Sequence, residues 1–220
     1  MKKIFFFVFL FIQCNIFSQI GFVSNINPKF KHIHAEVGSN IGVQNTEVFN
    51  YNLDIFLDKM IKESQIEINR FSDFDFNILD SFVGFQERKT NEYLEDFCKK
   101  KGVKQLIIFY RNNWFSKHSP YGNLYNLKFD FGILTQVGKK KNIYFMNRTL
   151  MAYYDSGTKS LNMTRVKGDN QREFIKINSK DVVIDNNSKL VNSESVQKDF
   201  INQYESKVRA HFMDALKNIH

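Results

Sequence analysis

The segment from Thr90 to Tyr110 constrains the fold more than any other part of the chain. It reads TNEYLEDFCKKKGVKQLIIFY. An oxygen-bearing side chain at Thr90 or Asn91 predicts the start of a helix, and three consecutive lysines followed by Gly102 predict its end. The continuous apolar run that follows is typical of a strand buried on both faces. A helix that leads into a central strand requires a layered fold of helices on sheet.

The remaining segments add further strands and two more helices. Apolar residues at helical spacing between Leu53 and Ile68 predict a helix, with Asn50 or Asn52 as its cap. Strands are predicted in KHIHAEVG, FDFNILDSFVGF, KFDFGILTQV, NIYFMNRTLMAYY, REFIKI and DVVI. Predicted helices alternate with strands in the first half of the chain, and predicted strands follow one another in the second half. We therefore expect an α+β fold, with a mixed, largely antiparallel sheet and helices packed on one face.

A long C-terminal helix is predicted from about Ser193 to Ile219, on an apolar stripe with a spacing of mostly four residues. At 1.5 Å per residue it is about 40 Å long. That length exceeds the width of a small domain. We therefore expect one end of the helix to extend beyond the body of the protein or to pair with a partner.

The first 19 residues, MKKIFFFVFLFIQCNIFSQ, match the pattern of a secretory signal peptide. Two lysines precede nine apolar residues, far fewer than the roughly 20 that a membrane-spanning helix needs. Ser18 supplies a small residue, so cleavage is expected after Ser18 or Gln19. Lipid attachment at Cys14 is an alternative that the large preceding residue, Gln13, disfavours. An uncleaved anchor is the third possibility.

Removal of residues 1–19 leaves a chain of single-domain size. We predict an extended N-terminal segment over residues 20–39 and a single α+β domain over residues 40–220. No transmembrane span is expected after signal cleavage. The expected location is the periplasm, the periphery of the outer membrane or the extracellular space.

Charge and cysteine content narrow the classes of partner and site. The formal net charge is +8, and loss of Lys2 and Lys3 lowers it by 2 to +6. A basic exported protein can contact anionic lipid or acidic polysaccharide, although lysine-rich composition also serves solubility. Export argues against a nucleic-acid partner. Cys98 is the one cysteine beyond the leader, which excludes an intramolecular disulfide and a cysteine-based zinc site. Because Cys98 lies on an apolar helix stripe, it is predicted to be a core residue.

The motif HIHAE is a weak candidate for metal binding. On a strand, His32 and His34 share one face and can approach one metal ion. Glu36 lies about 13 Å along the strand from His32, too far to complete the site. A third ligand from elsewhere, such as His118 or His211, would be needed. The alternative is an exposed polar face of an edge strand, and we expect no cofactor.

The loop NNWFSKHSPYGNLYN is a candidate binding surface. Its aromatic and basic side chains are of the kinds that contact a glycan or a protein. The residues of this predicted surface are Arg111, Trp114, Phe115, His118 and Tyr121. The alternative is that these aromatic side chains fold back over the sheet. Acyl transfer by His118 with a neighbouring serine is disfavoured, because no Gly-x-Ser-x-Gly elbow occurs in the sequence.

Residues 40–165 resemble the small α/β domain of bacterial envelope proteins, of the type at the N-terminus of TolB and in curli-secretion-like lipoproteins. The matching residues are Gly102 and Val103 before the apolar run Leu106 to Phe109, and the hairpin around Gly138 to Asn142. Lys104 stands where such proteins often carry aspartate, and the acylated cysteine of many relatives is missing. The resemblance implies a role in assembly or interaction, with no catalytic residues.

We therefore expect an exported, non-enzymatic envelope protein that acts by binding or assembly with a protein or glycan partner. The alternative is a secreted hydrolase, possibly metal-dependent, that uses His118 or the pair His32 and His34. A carrier that encloses a hydrophobic ligand is a third hypothesis, suggested by the 24 phenylalanines. The sequence leaves the oligomeric state open.

Overall fold

The computed structural model describes residues 20–37, 41–80, 87–111, 130–137, 142–169, 174–177 and 182–219. The strands are β1 Ile20–Ser24, β2 Lys29–Val37, β3 Ile41–Asn52, β4 Ile68–Phe71, β5 Gln105–Arg111, β6 Phe131–Val137, β7 Asn142–Asn147, β8 Thr149–Asp155, β9 Ser160–Met163 and β10 Phe174–Lys176. The helices are α1 Leu53–Glu63, α2 Asn77–Asp80, α3 Glu87–Lys101 and α4 Ser193–Asn218. The predicted α+β class with a long C-terminal helix is confirmed.

The described strands form two mixed sheets of five strands each. The first has the order β4-β1-β5-β8-β9, with β1 parallel to both of its neighbours. The second has the order β10-β7-β6-β2-β3, with β2 and β6 parallel and the other pairs antiparallel. Residues 20–37, predicted as part of an extended segment, supply an inner strand to each sheet. These two strands tie the start of the described chain into both halves of the fold.

The two sheets meet where the chain passes from one to the other over very short connections. Residues 25–28 join β1 to β2, and Arg148 alone joins β7 to β8. The segment NIYFMNRTLMAYY was expected to be one strand, and that prediction is wrong because Arg148 divides it between the sheets. The Arg148 side chain is fully buried, and its backbone N–H donates to the carbonyl of Asp130 at 2.8 Å.

A polar cluster at this junction fixes the position of the connections. The buried carboxylate of Asp130 accepts the backbone N–H of Asn27 at 2.7 Å and lies 3.4 Å from a guanidinium nitrogen of Arg111. The side chain of Asn147 accepts both the N–H and the hydroxyl of Thr149, at 3.0 and 2.6 Å. Buried polar groups cost free energy unless they are paired, so these contacts favour one relative placement of the strands that they join.

The main core lies between the sheets and helices α1 and α4. Its centre is a group of aromatic rings from both layers. Phe131 of β6 stacks on Tyr204 of α4 at 4.5 Å, and Phe30 of β2 stacks on Phe200 at 4.9 Å. Stacked and edge-to-face rings contribute about 0.5–1.5 kcal/mol per pair beyond the area they bury.

Helix α4 packs against the body along its whole length. Its buried side chains run from Val196 in the first turn to Leu216 in the last, and Ile219 beyond its end is also buried. The expectation that one end extends beyond the body is therefore wrong. Of the helices in the described ranges, none is both long and apolar enough to cross a membrane.

Helix α3 covers the opposite face of the first sheet and forms a second core, so helices lie on both faces of this sheet. Cys98 is buried in this core as predicted, and burial raises the pKa of its thiol to about 12. Gly102 adopts the predicted left-handed conformation, with φ of 67°, and the N–H of Val103 bonds the carbonyl of Cys98 at 3.0 Å. The helix begins at Glu87 rather than at Thr90 or Asn91.

Two further predictions are wrong for local reasons. Part of FDFNILDSFVGF forms a bend and helix α2, because the carboxylate of Asp75 accepts the N–H of Asn77 at 3.0 Å and turns the chain. Helix α1 begins at the predicted cap, Asn52, whose side chain accepts the N–H of Asp54. It ends at Glu63, since Gln65 has a positive φ of 56°, and Ile68 starts strand β4.

The central stack predicts a large stability cost for Phe131→Ala. Phe131 is fully buried, and loss of its ring leaves a cavity between β6 and α4. We expect the free energy of unfolding to fall by about 3–5 kcal/mol, measured by denaturant titration. The control Val191→Ala, at a position that is 62% exposed, should change it by less than about 0.5 kcal/mol. Equal effects of the two substitutions would contradict the central role of the stack.

Candidate functional site

His32 and His34 lie on β2, an inner strand of the second sheet. Their side chains are buried, with exposures of 0% and 5%, and they share a face with Phe30 of the main core. The interpretation of HIHAE as an exposed polar face of an edge strand is therefore wrong. Strand β3 pairs along the outer side of β2 and contributes the carboxylate of Glu47 opposite His32.

The two imidazoles belong to one chain of hydrogen bonds. The hydroxyl of Thr135 on β6 lies 2.7 Å from Nδ1 of His34 and 2.9 Å from Nε2 of His32, and Nδ1 of His32 lies 2.6 Å from Glu47. Burial lowers the pKa of His32, against the opposing effect of the Glu47 carboxylate. A neutral His32 donates from Nδ1 to Glu47 and accepts from Thr135, which in turn accepts from His34.

This chain of groups has the order carboxylate, imidazole, hydroxyl, but it is closed to substrate. Thr135 has no exposed surface, so its hydroxyl cannot reach an external molecule. The nitrogens of His32 and His34 that a shared metal ion would need both face the Thr135 hydroxyl. Within the described ranges, no three or more metal-ligating side chains are grouped to hold an ion. Glu47 also accepts the backbone N–H of Leu190 at 3.1 Å, so the network attaches the segment before α4 to the sheet.

The predicted surface around Trp114 is described only at its first residue. Arg111 ends strand β5, and its guanidinium faces Asp130 at the junction of the sheets, with the side chain 27% exposed. The other residues of that surface lie outside the described residues: Trp114, Phe115, His118 and Tyr121. Their predicted role stays a prediction.

A third imidazole, that of His211, lines an open cavity of about 520 Å³ beside α4. Nε2 of His211 lies 2.6 Å from one carboxylate oxygen of Asp169, and Nδ1 lies 2.7 Å from the hydroxyl of Thr164. The other carboxylate oxygen of Asp169 lies 2.9 Å from Nζ of Lys207. Among the described residues, the lining also includes Val166, Asn202, Gln203, Ser206 and Ala210. We call this the His211 cavity.

The fold holds these groups in place from two elements. His211 and Lys207 are one helical turn apart on α4, on the side of the helix that meets the segment after β9. Thr164 directly follows β9, and both its N–H and its hydroxyl lie within hydrogen-bond distance of the carbonyl of Met151, at 3.1 and 2.9 Å. Gly168 has φ of 85°, a left-handed conformation that suits glycine, and it precedes Asp169 in a turn.

The cavity presents hydrogen-bond donors more readily than acceptors. Each carboxylate oxygen of Asp169 already contacts a basic side chain. Lys207 has three N–H groups, one of which points at Asp169. Asn202, Gln203 and Ser206 are exposed on the same side of α4 and add two amides and a hydroxyl. Such a set suits a polar ligand with oxygen atoms.

His211 was predicted only as a possible third metal ligand, and Thr164, Asp169 and Lys207 were not predicted as site residues. The spacing of Lys207 and His211 on a predicted helix was the one available signal. Their partner Asp169 lies 42 residues before His211, in a turn that no motif marks.

No protein-family model, curated protein or solved structure matches this chain. The resemblance of residues 40–165 to small domains of envelope proteins therefore stays a prediction.

Burial of His32 predicts a loss of stability in acid. The folded pKa of His32 lies below its unfolded value of about 6.5, so the unfolded chain takes up a proton first as the pH falls. Neutral His32 makes its full contribution to the free energy of unfolding above about pH 6.5. Below that pH the contribution decreases by at most about 1.4 kcal/mol per pH unit, until the folded pKa is reached. Denaturant titrations between pH 8 and pH 5 measure this slope.

In His32→Gln, the free energy of unfolding should fall less steeply between pH 6.5 and pH 5 than it does in the parent chain. This expectation holds whatever the absolute stability of the variant. Lys62→Gln, at an exposed position on α1, should keep the parent slope. A parent-like slope in His32→Gln would show that His32 does not carry the acid sensitivity.

Proposed function

We propose that this chain is an exported protein of the cell envelope that acts by binding a glycan. The leader pattern of residues 1–19 supports export. The observation that carries the binding role is the His211 cavity, where fixed charged groups and exposed amides line a concave space. It is a shallow depression of about 520 Å³, largely open to solvent.

The chemistry of the lining suits sugar hydroxyls. A hydroxyl both donates and accepts, and the amides of Asn202 and Gln203 offer both functions. Val166 and Ala210 add apolar surface against which the C–H groups of a sugar ring can pack. The pairing of Asp169 with His211 and Lys207 fixes all three side chains before a ligand arrives, which reduces the entropy lost on binding.

A protein partner was suggested by an overhanging C-terminal helix and by the Trp114 surface, which suits a protein or a glycan. Helix α4 instead buries side chains from its first turn to its last, so it offers no overhanging end to a partner. The hydrolase alternative based on His32 and His34 loses support because both imidazoles and the Thr135 hydroxyl are buried. The glycan is therefore the better supported ligand.

Export predicts a defined amino terminus. Protein isolated from the native cell envelope should begin at Gln19 or Ile20, because cleavage is expected after Ser18 or Gln19. Sequencing of the amino end by chemical degradation or mass spectrometry measures this directly. Retention of Met1 on protein recovered from the cytosol would contradict export.

Glycan binding predicts a loss of affinity in Gln203→Ala/Ser206→Ala. Both side chains are exposed, so their removal should leave folding intact and delete two contacts to the ligand. We expect the affinity for the best ligand of an oligosaccharide array to fall about tenfold or more by calorimetry, which corresponds to about 1.4 kcal/mol.

Lys198→Ala is the matched control for that double substitution, since Lys198 is exposed on the same helix but does not line the cavity. It should keep the parent affinity. Two results would refute the proposed function: absence of binding to every oligosaccharide tested, or an equal loss in the control and the double variant.

A further inference from the structure

We propose that the outer edge of strand β3 pairs with the same edge of a second copy of this chain, so that two copies join their second sheets across a twofold axis. This pairing does not depend on glycan binding or on the His211 cavity. It follows from the length, the exposure and the residue pattern of β3, Ile41–Asn52.

Strand β3 is a long strand at the edge of the second sheet. It contains 12 residues and pairs with β2 on one side. At about 3.3 Å per residue it is about 40 Å long, whereas strands average about 5–6 residues. In the part of the chain that the structure describes, no backbone hydrogen bond joins its other side to a further segment. A row of N–H and C=O groups is therefore left for pairing with another strand.

Strand β3 lacks most of the features by which edge strands avoid pairing with other chains. It contains no proline and no lysine, and its one charged residue is Glu47. The Glu47 side chain is only 18% exposed, because its carboxylate contacts His32 and the backbone N–H of Leu190. Val43 and Val48 are 49% and 58% exposed. The surface that β3 offers to a further strand is therefore uncharged and partly apolar.

Three exposed β-branched residues of β3 lie on the outer face of the second sheet, away from the main core: Val43, Thr46 and Val48. Gln44 is an extra residue at a β-bulge, so Val43 and Thr46 share a face although they are three residues apart. Their partners on β2 alternate along that strand and share the same face: Ala35, Ile33 and Lys31.

An antiparallel copy fits this pattern when Thr46 lies on the twofold axis, opposite the Thr46 of the other copy. Val48 lies two residues from the axis in one direction and Val43 lies three residues from it in the other. The extra residue Gln44 makes these two positions opposite each other across the interface. Threonine pairs and β-branched side chains both suit the face of an antiparallel sheet.

The charges along the strand are compatible with this register. Glu47 lies one residue from the axis and Asn45 lies one residue from it on the other side, so each carboxylate faces an amide of the other copy. A register centred on Glu47 would instead put two carboxylates opposite each other, which is destabilising. The strand is therefore complementary to a second copy of itself about Thr46.

The same interface limits the assembly to two copies. A twofold pairing occupies the outer edge of β3 in both copies, so it closes on itself. The opposite edge of the second sheet is formed by β10, which has three residues, and the edges of the first sheet are β4 and β9, with four residues each. None of these described edges offers a third copy a strand of comparable length.

Sedimentation velocity of the purified chain, over concentrations of about 1–100 μM, tests the pairing. We expect a reversible dimer. Thr46→Lys places two like charges opposite each other on the axis and should raise the dissociation constant at least about tenfold. Thr46→Val keeps a β-branched side chain and should keep the dimer. The control Met213→Lys adds the same charge at an exposed apolar position on α4 and should match the parent chain.

Disulfide trapping tests the register. Opposite residues of an antiparallel pair have Cα atoms about 4.5–5.5 Å apart, within the range of about 4.4–6.8 Å that a disulfide needs. Thr46→Cys should therefore form a covalent dimer when oxidised glutathione accepts the electrons of the two thiols. In Asn50→Cys, also at an exposed position of β3, the two thiols lie roughly 26 Å apart and should not cross-link. Cys98 is buried and does not compete.

Several results would overturn the inference. A parent chain that stays monomeric at the highest concentration overturns it, whether or not β3 takes a strand from another protein. Assemblies larger than two copies also overturn it. A dimer that persists in Thr46→Lys, shown by circular dichroism to be folded, places the interface elsewhere. Equal cross-linking of Thr46→Cys and Asn50→Cys contradicts the register centred on Thr46.

Discussion

The structure depends on the contacts of Tyr204, which join the two sheets through helix α4. Its ring stacks on Phe131 of the second sheet at 4.5 Å, and its hydroxyl donates to Thr149 of the first sheet at 3.2 Å. Burial raises the pKa of this hydroxyl, so it stays a neutral donor. Because one side chain contacts both sheets, the position of α4 is fixed relative to each of them. The same helix then carries Lys207 and His211 to the segment after β9.

Two imidazoles in this protein have similar partners and different surroundings. His32 and His211 each contact a carboxylate and a threonine hydroxyl. The partners of His32 come from neighbouring strands, inside the sheet, where a charge would be poorly solvated. His211 lies at the edge of a cavity and keeps 11% of its side chain exposed. The two histidines therefore differ in their access to the surface and not in the type of their partners.

Several local signals in the sequence predicted local structure correctly. Asn52 caps α1, Gly102 ends α3, and the apolar run after Gly102 forms the central strand β5, because each feature depends on neighbouring residues. The division of the strands into two sheets was not predictable in this way. It depends on the burial of Arg148, whose backbone bonds Asp130 eighteen residues earlier in a different part of the fold. The His211 cavity is non-local for the same reason, since Asp169 reaches it from a separate turn.

The hydrogen bonds of His211 also bear on whether this site favours binding or catalysis. A general base needs a ring nitrogen that faces the substrate, within about 2.6–3.2 Å of the proton it removes. Both nitrogens of His211 instead face groups of the protein, Asp169 and Thr164. A proton held between them cannot pass to a bound molecule unless one of these contacts breaks. Neither ring nitrogen is therefore placed to act as a general base while these two contacts hold.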